Sequence, residues 1–171
     1  FKNLSAVSAT VPKSTITEWQ QNPAITQIDF DPVVKINGQS AGWGYSKVLA
    51  NEAKMYGWTG KGVKIGIIDT GVRSNHPDLQ LAGGVSFVGD RTSYEDDEGH
   101  GTHVAGIIGA QDNEIGIVGV APDAKLYAIK ALNSTGIGNL SDVIASIEWA
   151  IANKMDIINL SLTSQQNHYL L

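Results

Sequence analysis

Three largely apolar runs, each bounded by polar or glycine-containing segments, constrain this chain more than any other feature. They are Val63 to Ile68, Ala124 to Lys130 and Asp156 to Leu162. Short runs that are apolar at successive positions, instead of alternating, read as strands buried on both faces. Between the second and third runs, Ser141 to Asn153 places Ile144, Ile147, Ala150 and Ile151 on one helical face, with Ser141 as the expected N-cap. Strands alternating with helices in this rhythm predict right-handed crossovers and an α/β fold with a parallel sheet. With 171 residues, 42% of them hydrophobic, the chain has enough apolar surface for such a core.

The charge pattern excludes several classes of partner. A net charge of −5 with no run of Lys or Arg argues against nucleic acid and against an anionic membrane surface. No segment approaches the roughly 18 apolar residues of a membrane span. The absence of Cys excludes disulfides, thiolate metal sites and a cysteine nucleophile. The opening Phe1-Lys2-Asn3-Leu4 is not the start of a signal peptide.

The first 37 residues read as a separate small unit. Ala6 to Val11 alternates as a strand, Pro12 to Gln21 is helix-like, and Ala24 to Phe30 alternates as a second strand, predicting a β-α-β arrangement. Lys2, Lys13 and Lys35 balance Glu18, Asp29 and Asp31, so all the excess negative charge lies downstream. Gly38-Gln39-Ser40-Ala41-Gly42 is small and polar, and marks the expected boundary.

In open parallel sheets, function collects at the carboxyl ends of the strands. Asp69, followed by Thr70-Gly71, and Ser161 both stand at such ends. The block Gly99-His100-Gly101-Thr102-His103-Val104-Ala105-Gly106 follows, with His100 31 positions after Asp69. His100 is placed to open a buried helix and to be oriented by the Asp69 carboxylate, as in the first two members of a catalytic triad. Other readings remain at this point. Asp69 alone suits a cap or turn, and His100 and His103, three apart, suit a two-histidine metal site, although no Glu stands between them. A nucleotide or metal binder at the same sheet edge is a further reading, weakened by the lack of a glycine-rich phosphate loop after the first strand.

Together with His76-Pro77-Asp78, Gly119-Val120-Ala121-Pro122, Ile147-Glu148-Trp149-Ala150 and Ile157 to Leu162, these blocks resemble the subtilisin-like serine peptidases over nearly the whole chain. The resemblance implies that 38–171 is the N-terminal half of a parallel-sheet peptidase domain. It implies that 1–37 is the C-terminal half of an inhibitory propeptide, with cleavage near Asn37–Gly38 and the chain's own propeptide as a partner. By the same resemblance Asp69 fixes the tautomer of His100, His100 is general base and then general acid, and His103 is structural.

The resemblance further implies a calcium site made by Gln39, Asp78, Asn113 and the carbonyls of Gln111, Ile115 and Ile117, an all-oxygen set suited to a hard cation. It implies that an extended peptide or protein substrate lies against Gly136, Ile137 and Gly138 on one side and Leu160, Ser161, Leu162 and Thr163 on the other. Thr163 stands where the family usually has Gly. The family's oxyanion asparagine and its Gly-Thr-Ser-Met-Ala nucleophile segment are not among these residues, and Asn167 to Leu171 reads as the start of another helix. The expectation is therefore a secreted serine endopeptidase whose 171 residues are inactive by themselves. The alternative is a catalytically dead product that acts as an inhibitor or folding aid through its propeptide-like segment.

Overall fold

The apolar runs become neighbouring strands of one sheet. The computed structural model describes residue 7 and residues 9–29, 39–89 and 92–163. Strand β1 (Lys64–Asp69) lies between β3 (Lys125–Lys130) and β4 (Ile157–Leu160), and β2 (Leu81–Ser86) adds to the far side of β3, giving the order β2-β3-β1-β4. All three pairings are parallel, with Ile67 opposite both Ala128 and Asn159.

The sheet is covered on both faces because successive side chains of β1 and β3 point opposite ways. Ile65 and Ile67 join Leu126 and Ala128 in a cluster with Ala105 and Ala110, which belong to helix α4 (His100–Gly109) and its end. Ile68 and Ile129 join Ala131 in a second cluster with Val143 and Ala150 of helix α5 (Leu140–Ala152). Ile67, Ile68 and Ile129 are wholly buried, each stabilising the fold by about 1.5–3 kcal/mol relative to exposure. The parallel α/β architecture is as the sequence implied.

Several details differ from the sequence reading. Helix α5 starts at Leu140 with Asn139, not Ser141, at the N-cap, and the Asn139 amide donates to Asp142 Oδ2 at 3.0 Å. Its inward stripe is Val143, Ser146 and Ala150 with Ile147 packed alongside, while Ile151 is 72% exposed. The small side chains of Ser146 and Ala150 let the helix approach the sheet, so packing selects this stripe over the bulkier neighbouring one. Strand β2 has no counterpart in the sequence reading, because Gly83 and Gly84 interrupt its apolar pattern. A Cβ on Gly84 would meet Ala128 O at 2.6 Å and the Tyr94 ring at 2.7 Å. Helices α2 (Trp43–Lys47) and α3 (Ala50–Met55) precede the sheet.

The chain divides into two units, residues 1–36 and 37–171. In the first, helix α1 (Lys13–Gln20) matches the expected helix, with Pro12 at its N-cap. The two flanking strands do not form among the described residues: 9–12 and 24–29 have no strand partner. Asn22 instead accepts the Ala24 N–H on its side chain at 2.9 Å and the Ile25 N–H on its carbonyl at 3.0 Å. That Asx turn takes up the backbone where the second strand was expected to begin. Phe30, the expected cleavage position and Asn167 to Leu171 lie outside the described residues. Among the described residues no helix is long and apolar enough to cross a membrane.

Candidate active site

Strand β1 delivers Asp69 to the carboxyl end of the sheet, where its side chain is wholly buried. One carboxylate oxygen accepts the Thr70 N–H at 2.7 Å. Helix α4 begins at His100 immediately above it, because Gly101 lets the first turn press against the end of β1. A Cβ at Gly101 would overlap the Gly71 carbonyl oxygen and lie 3.2 Å from Asp69 Cβ. His100 Nδ1 then stands 2.8 and 3.0 Å from the two Asp69 oxygens. An ionised carboxylate only accepts, so Nδ1 carries the proton and Nε2 is left free to act as a base. The hydrogen bond to Asp69, followed by its charge, raises the His100 pKa above the ordinary 6.5; slight desolvation opposes this, and Glu98 and Asp96 add to it.

Asp96, which the sequence reading passed over, organises the approach to this pair. Its Oδ1 accepts Thr70 Oγ1–H at 2.8 Å and the N–H groups of Glu98 and Gly99 at 3.1 and 2.8 Å. Its Oδ2 accepts the Thr102 N–H at 2.8 Å and the Thr102 hydroxyl at 2.5 Å. Burial alone would raise its pKa, but the bonds from Thr102, Gly99 and Thr70 win and lower it to about 2. Lys130, paired in register with Asp69, is 6% exposed. It donates to Thr70 O at 2.5 Å and to Asp97 Oδ1 at 2.6 Å. In the sequence, Glu95 to Glu98 reads as a solvated acidic stretch; the signal that was available is an acid three residues before the glycine that precedes a helix.

His100 borders a cleft of about 830 Å³ that is also lined by Gly136, Ile137, Gly138, Ser161, Leu162 and Thr163. Six of the seven residues expected to flank a substrate thus share one groove with the histidine. Leu160 does not line it and sits within β4 opposite Ile68. The 133–138 loop is shaped by Asn133, whose Oδ1 accepts the N–H groups of Thr135 and Ile137 at 2.9 and 3.1 Å. Gly138 is required by the chain itself: a Cβ there would overlap Ala131 O and lie 2.9 Å from Leu132 Cδ2. Ser161 Oγ donates to Asn159 Oδ1 at 2.9 Å.

Of the residues expected to hold calcium, Gln39, Asp78, Gln111 and Ile117 are joined by hydrogen bonds, and Asn113 and Ile115 are bonded to each other. Ser40 bridges Ile117 in parallel, and Gln39 Nε2 donates to the carbonyls of Gln111 at 2.6 Å and Ile117 at 3.4 Å. Asn113 Oδ1 accepts the Ile115 N–H at 3.2 Å. Asp78 Oδ2 accepts the Ile117 N–H at 3.2 Å, whereas its Oδ1 is buried with no hydrogen-bond partner. A buried carboxylate oxygen left unpaired fits a hard cation. The two-histidine alternative finds no third ligand: among the described residues no three His, Cys, Asp or Glu side chains converge, and His103 is exposed.

Comparison with known proteins agrees with this geometry. The sequence model of the subtilase family matches residues 60–169. Subtilisin E of Bacillus subtilis (strain 168) is 45% identical over 163 residues, which are 95% of this chain and 43% of that protein. An alkaline protease of Alkalihalobacillus alcalophilus is 44% identical over 164 residues, covering 96% of this chain and 43% of its own length. A thermostable alkaline protease of Halalkalibacterium halodurans is 43% identical over 164 residues, with 96% and 45% covered. The chain spans less than half the length of these relatives. A family match over most of the residues, joined to an Asp–His pair at the carboxyl end of a parallel sheet, places this chain in the subtilase family of subtilisin-like serine peptidases.

Proposed function

We propose that this chain supplies the aspartate and histidine of a secreted serine endopeptidase that cleaves extended peptide segments of proteins. The observation that carries the reading is the His100 Nδ1 contact to both Asp69 oxygens, at 2.8 and 3.0 Å, beside the cleft. Asp69 holds the imidazole in one tautomer and stabilises the imidazolium. His100 takes a proton from a serine hydroxyl at Nε2 and returns it to the leaving amine. The substrate backbone adds as a strand between residues 136–138 and 161–163, and Thr163 narrows the groove relative to a glycine.

None of the serines lining the cleft serves as the nucleophile in this reading, since Ser161 belongs to the groove wall. The 171 residues by themselves are therefore inactive. Residues 1–37 act as the C-terminal half of the propeptide, a role supported by the division of the chain after Ile36. Gln39, Asp78, Asn113 and the carbonyls of Gln111, Ile115 and Ile117 hold a calcium ion. Holding it takes the Gln39 amide reversed, with its oxygen toward those carbonyls. Bound calcium supplies no chemistry to peptide hydrolysis; it ties the segment after residue 38 to the 111–117 loop.

The test is hydrolysis of a fluorogenic peptide by the full-length protein, by its His100→Ala variant and by residues 1–171. Activity is expected only in the first, and a serine-directed reagent abolishes it. Undiminished turnover in the His100→Ala variant would overturn the assignment, and turnover by residues 1–171 would overturn their inactivity.

A further inference from the structure

We infer that Asp96 is a positioning residue that sets the Asp69–His100 geometry, acting through the Thr70 hydroxyl on one side and Thr102 on the other. The inference rests on the catalytic reading of that pair. Asp69 and His100 belong to different elements, the end of β1 and the start of α4, and the residues between them include a long loop. Something must fix the distance between the two elements to within a few tenths of an ångström, because the hydrogen bond between their side chains weakens steeply with misalignment.

Asp96 spans them with five hydrogen bonds. On the strand side it takes the hydroxyl of Thr70, the residue that follows Asp69. On the helix side it takes both donors of Thr102, and it also holds the amides of Glu98 and Gly99 that lead into His100. Both threonines then bond across the same seam: Thr70 Oγ1 accepts the Gly101 N–H at 2.9 Å, and Thr102 Oγ1 accepts the Arg73 N–H at 3.0 Å. The helix start is thereby laced to the segment that ends β1 at two points, and this one carboxylate accepts from both hydroxyls that make the laces. Thr70 is 1% exposed, so water does not replace its hydroxyl. An ordinary cap would accept the first amides of α4 only; it would not reach back to the residue beside Asp69.

A charge change at residue 96 also alters the field at His100, so the decisive variants are neutral. In the full-length protein, His100 is titrated by NMR of its ring, and the Nδ1–H resonance is followed, in Thr70→Val, Thr70→Ser and Asp96→Asn. Thr70→Val keeps shape and charge but removes the hydroxyl through which Asp96 acts, and with it the Gly101 bond that the hydroxyl accepts. It is expected to move the His100 pKa down toward 6.5 and to broaden the Nδ1–H resonance, while Thr70→Ser retains the parent behaviour. Asp96→Asn is expected to act in the same direction as Thr70→Val. In turnover, Thr70→Val and Asp96→Asn are expected to lower kcat on the order of ten- to a hundred-fold with KM unchanged, as for a small misplacement of a catalytic group.

Parent-like titration and Nδ1–H signal in Thr70→Val, or equal impairment in Thr70→Ser, overturns the inference. If Asp96→Asn does not fold, the two threonine variants still decide. If the full-length protein cleaves no peptide, the catalytic reading fails, and the titration alone judges the positioning role.

Discussion

Deleting either half of the Lys130–Asp97 pair removes the same contact, yet the two deletions are expected to differ in consequence. The Lys130 side chain is 7% exposed and that of Asp97 is 54% exposed. Asp97→Ala leaves a buried ammonium whose remaining acceptor is the Thr70 carbonyl. An uncompensated buried charge costs about 3–5 kcal/mol, and partial access of water at the Asp97 side reduces this to about 3. Lys130→Met keeps the aliphatic stem and frees a carboxylate that is already half in water. It orphans one buried carbonyl, about 1–3 kcal/mol, and removes the desolvation of the ammonium, leaving a net loss of about 1 kcal/mol. The difference, about 2 kcal/mol, corresponds to roughly 4–8 °C in melting temperature for a domain of this size. Urea unfolding of both single variants and the double variant measures it, with the double variant no less stable than Lys130→Met. Equal losses, or a larger loss for Lys130→Met, would refute the argument that Lys130 is desolvated and depends on Asp97.

Because Asp69 raises the His100 pKa, and a general base works unprotonated, kcat/KM is expected to rise with pH through a value above 6.5. Asp69→Asn shifts that rise downward and lowers kcat about 10⁴-fold, as in Asp–His–Ser triads generally. The same raised pKa stabilises the fold fully below 6.5 and loses that contribution as pH climbs through the folded value. Asp96 behaves oppositely: lowered from 3.8 to about 2, it contributes above pH 3.8 and loses this as pH falls toward 2. Discounted for solvent screening, the displacement is worth about 1 kcal/mol, so the stability gap between parent and Asp96→Asn narrows over that acid window. Calcium at 100 times its Kd is expected to add about 2.7 kcal/mol to stability and Asp78→Asn to abolish the response; equal melting shifts in both proteins exclude the site. Gly138→Ala, which sets a Cβ against the backbone of Ala131, is expected to lose about 1–3 kcal/mol and to raise KM for peptides, and an unchanged KM would separate that loop from the groove.

What could be read in the sequence followed from how much of the structure is local pattern. β1 and β3 were visible because Ile65, Ile67, Ile68, Leu126 and Ile129 are buried on two faces at once, which leaves a continuous apolar run. β2 was invisible because Gly83 and Gly84 are fitted to the atoms around them and carry no hydrophobic signal. The N-terminal strands differ for the converse reason, an alternating pattern that finds no strand partner among the described residues. Asp69 and His100 were legible because the glycines beside them are dictated, Gly101 by the close approach of helix to strand and Gly71 by its positive φ against the backbone of Tyr94 and Glu95. Asp96 was not, since a carboxylate that accepts five bonds and one that faces water are the same letter. Of the proposed calcium ligands, the backbone carbonyls of 111, 115 and 117 have no residue-type signature at all, and only the family likeness pointed to them.

The strand order bears on how the protein is made. β1 is central, yet its register partners are synthesised long after it: Lys64 awaits Lys125, 61 residues on, and Ile65 awaits Ile157, 92 residues on. At translation rates of about 5–20 residues per second, β1 stays unpaired for roughly 3–12 s before β3 emerges and roughly 5–18 s before β4 does. During that interval the isoleucines that later form the centre of both clusters face water or whatever binds them first. The order of the sheet thus makes early synthesis the period in which this chain is most open to mispairing, and slowing elongation between residues 70 and 125 lengthens it.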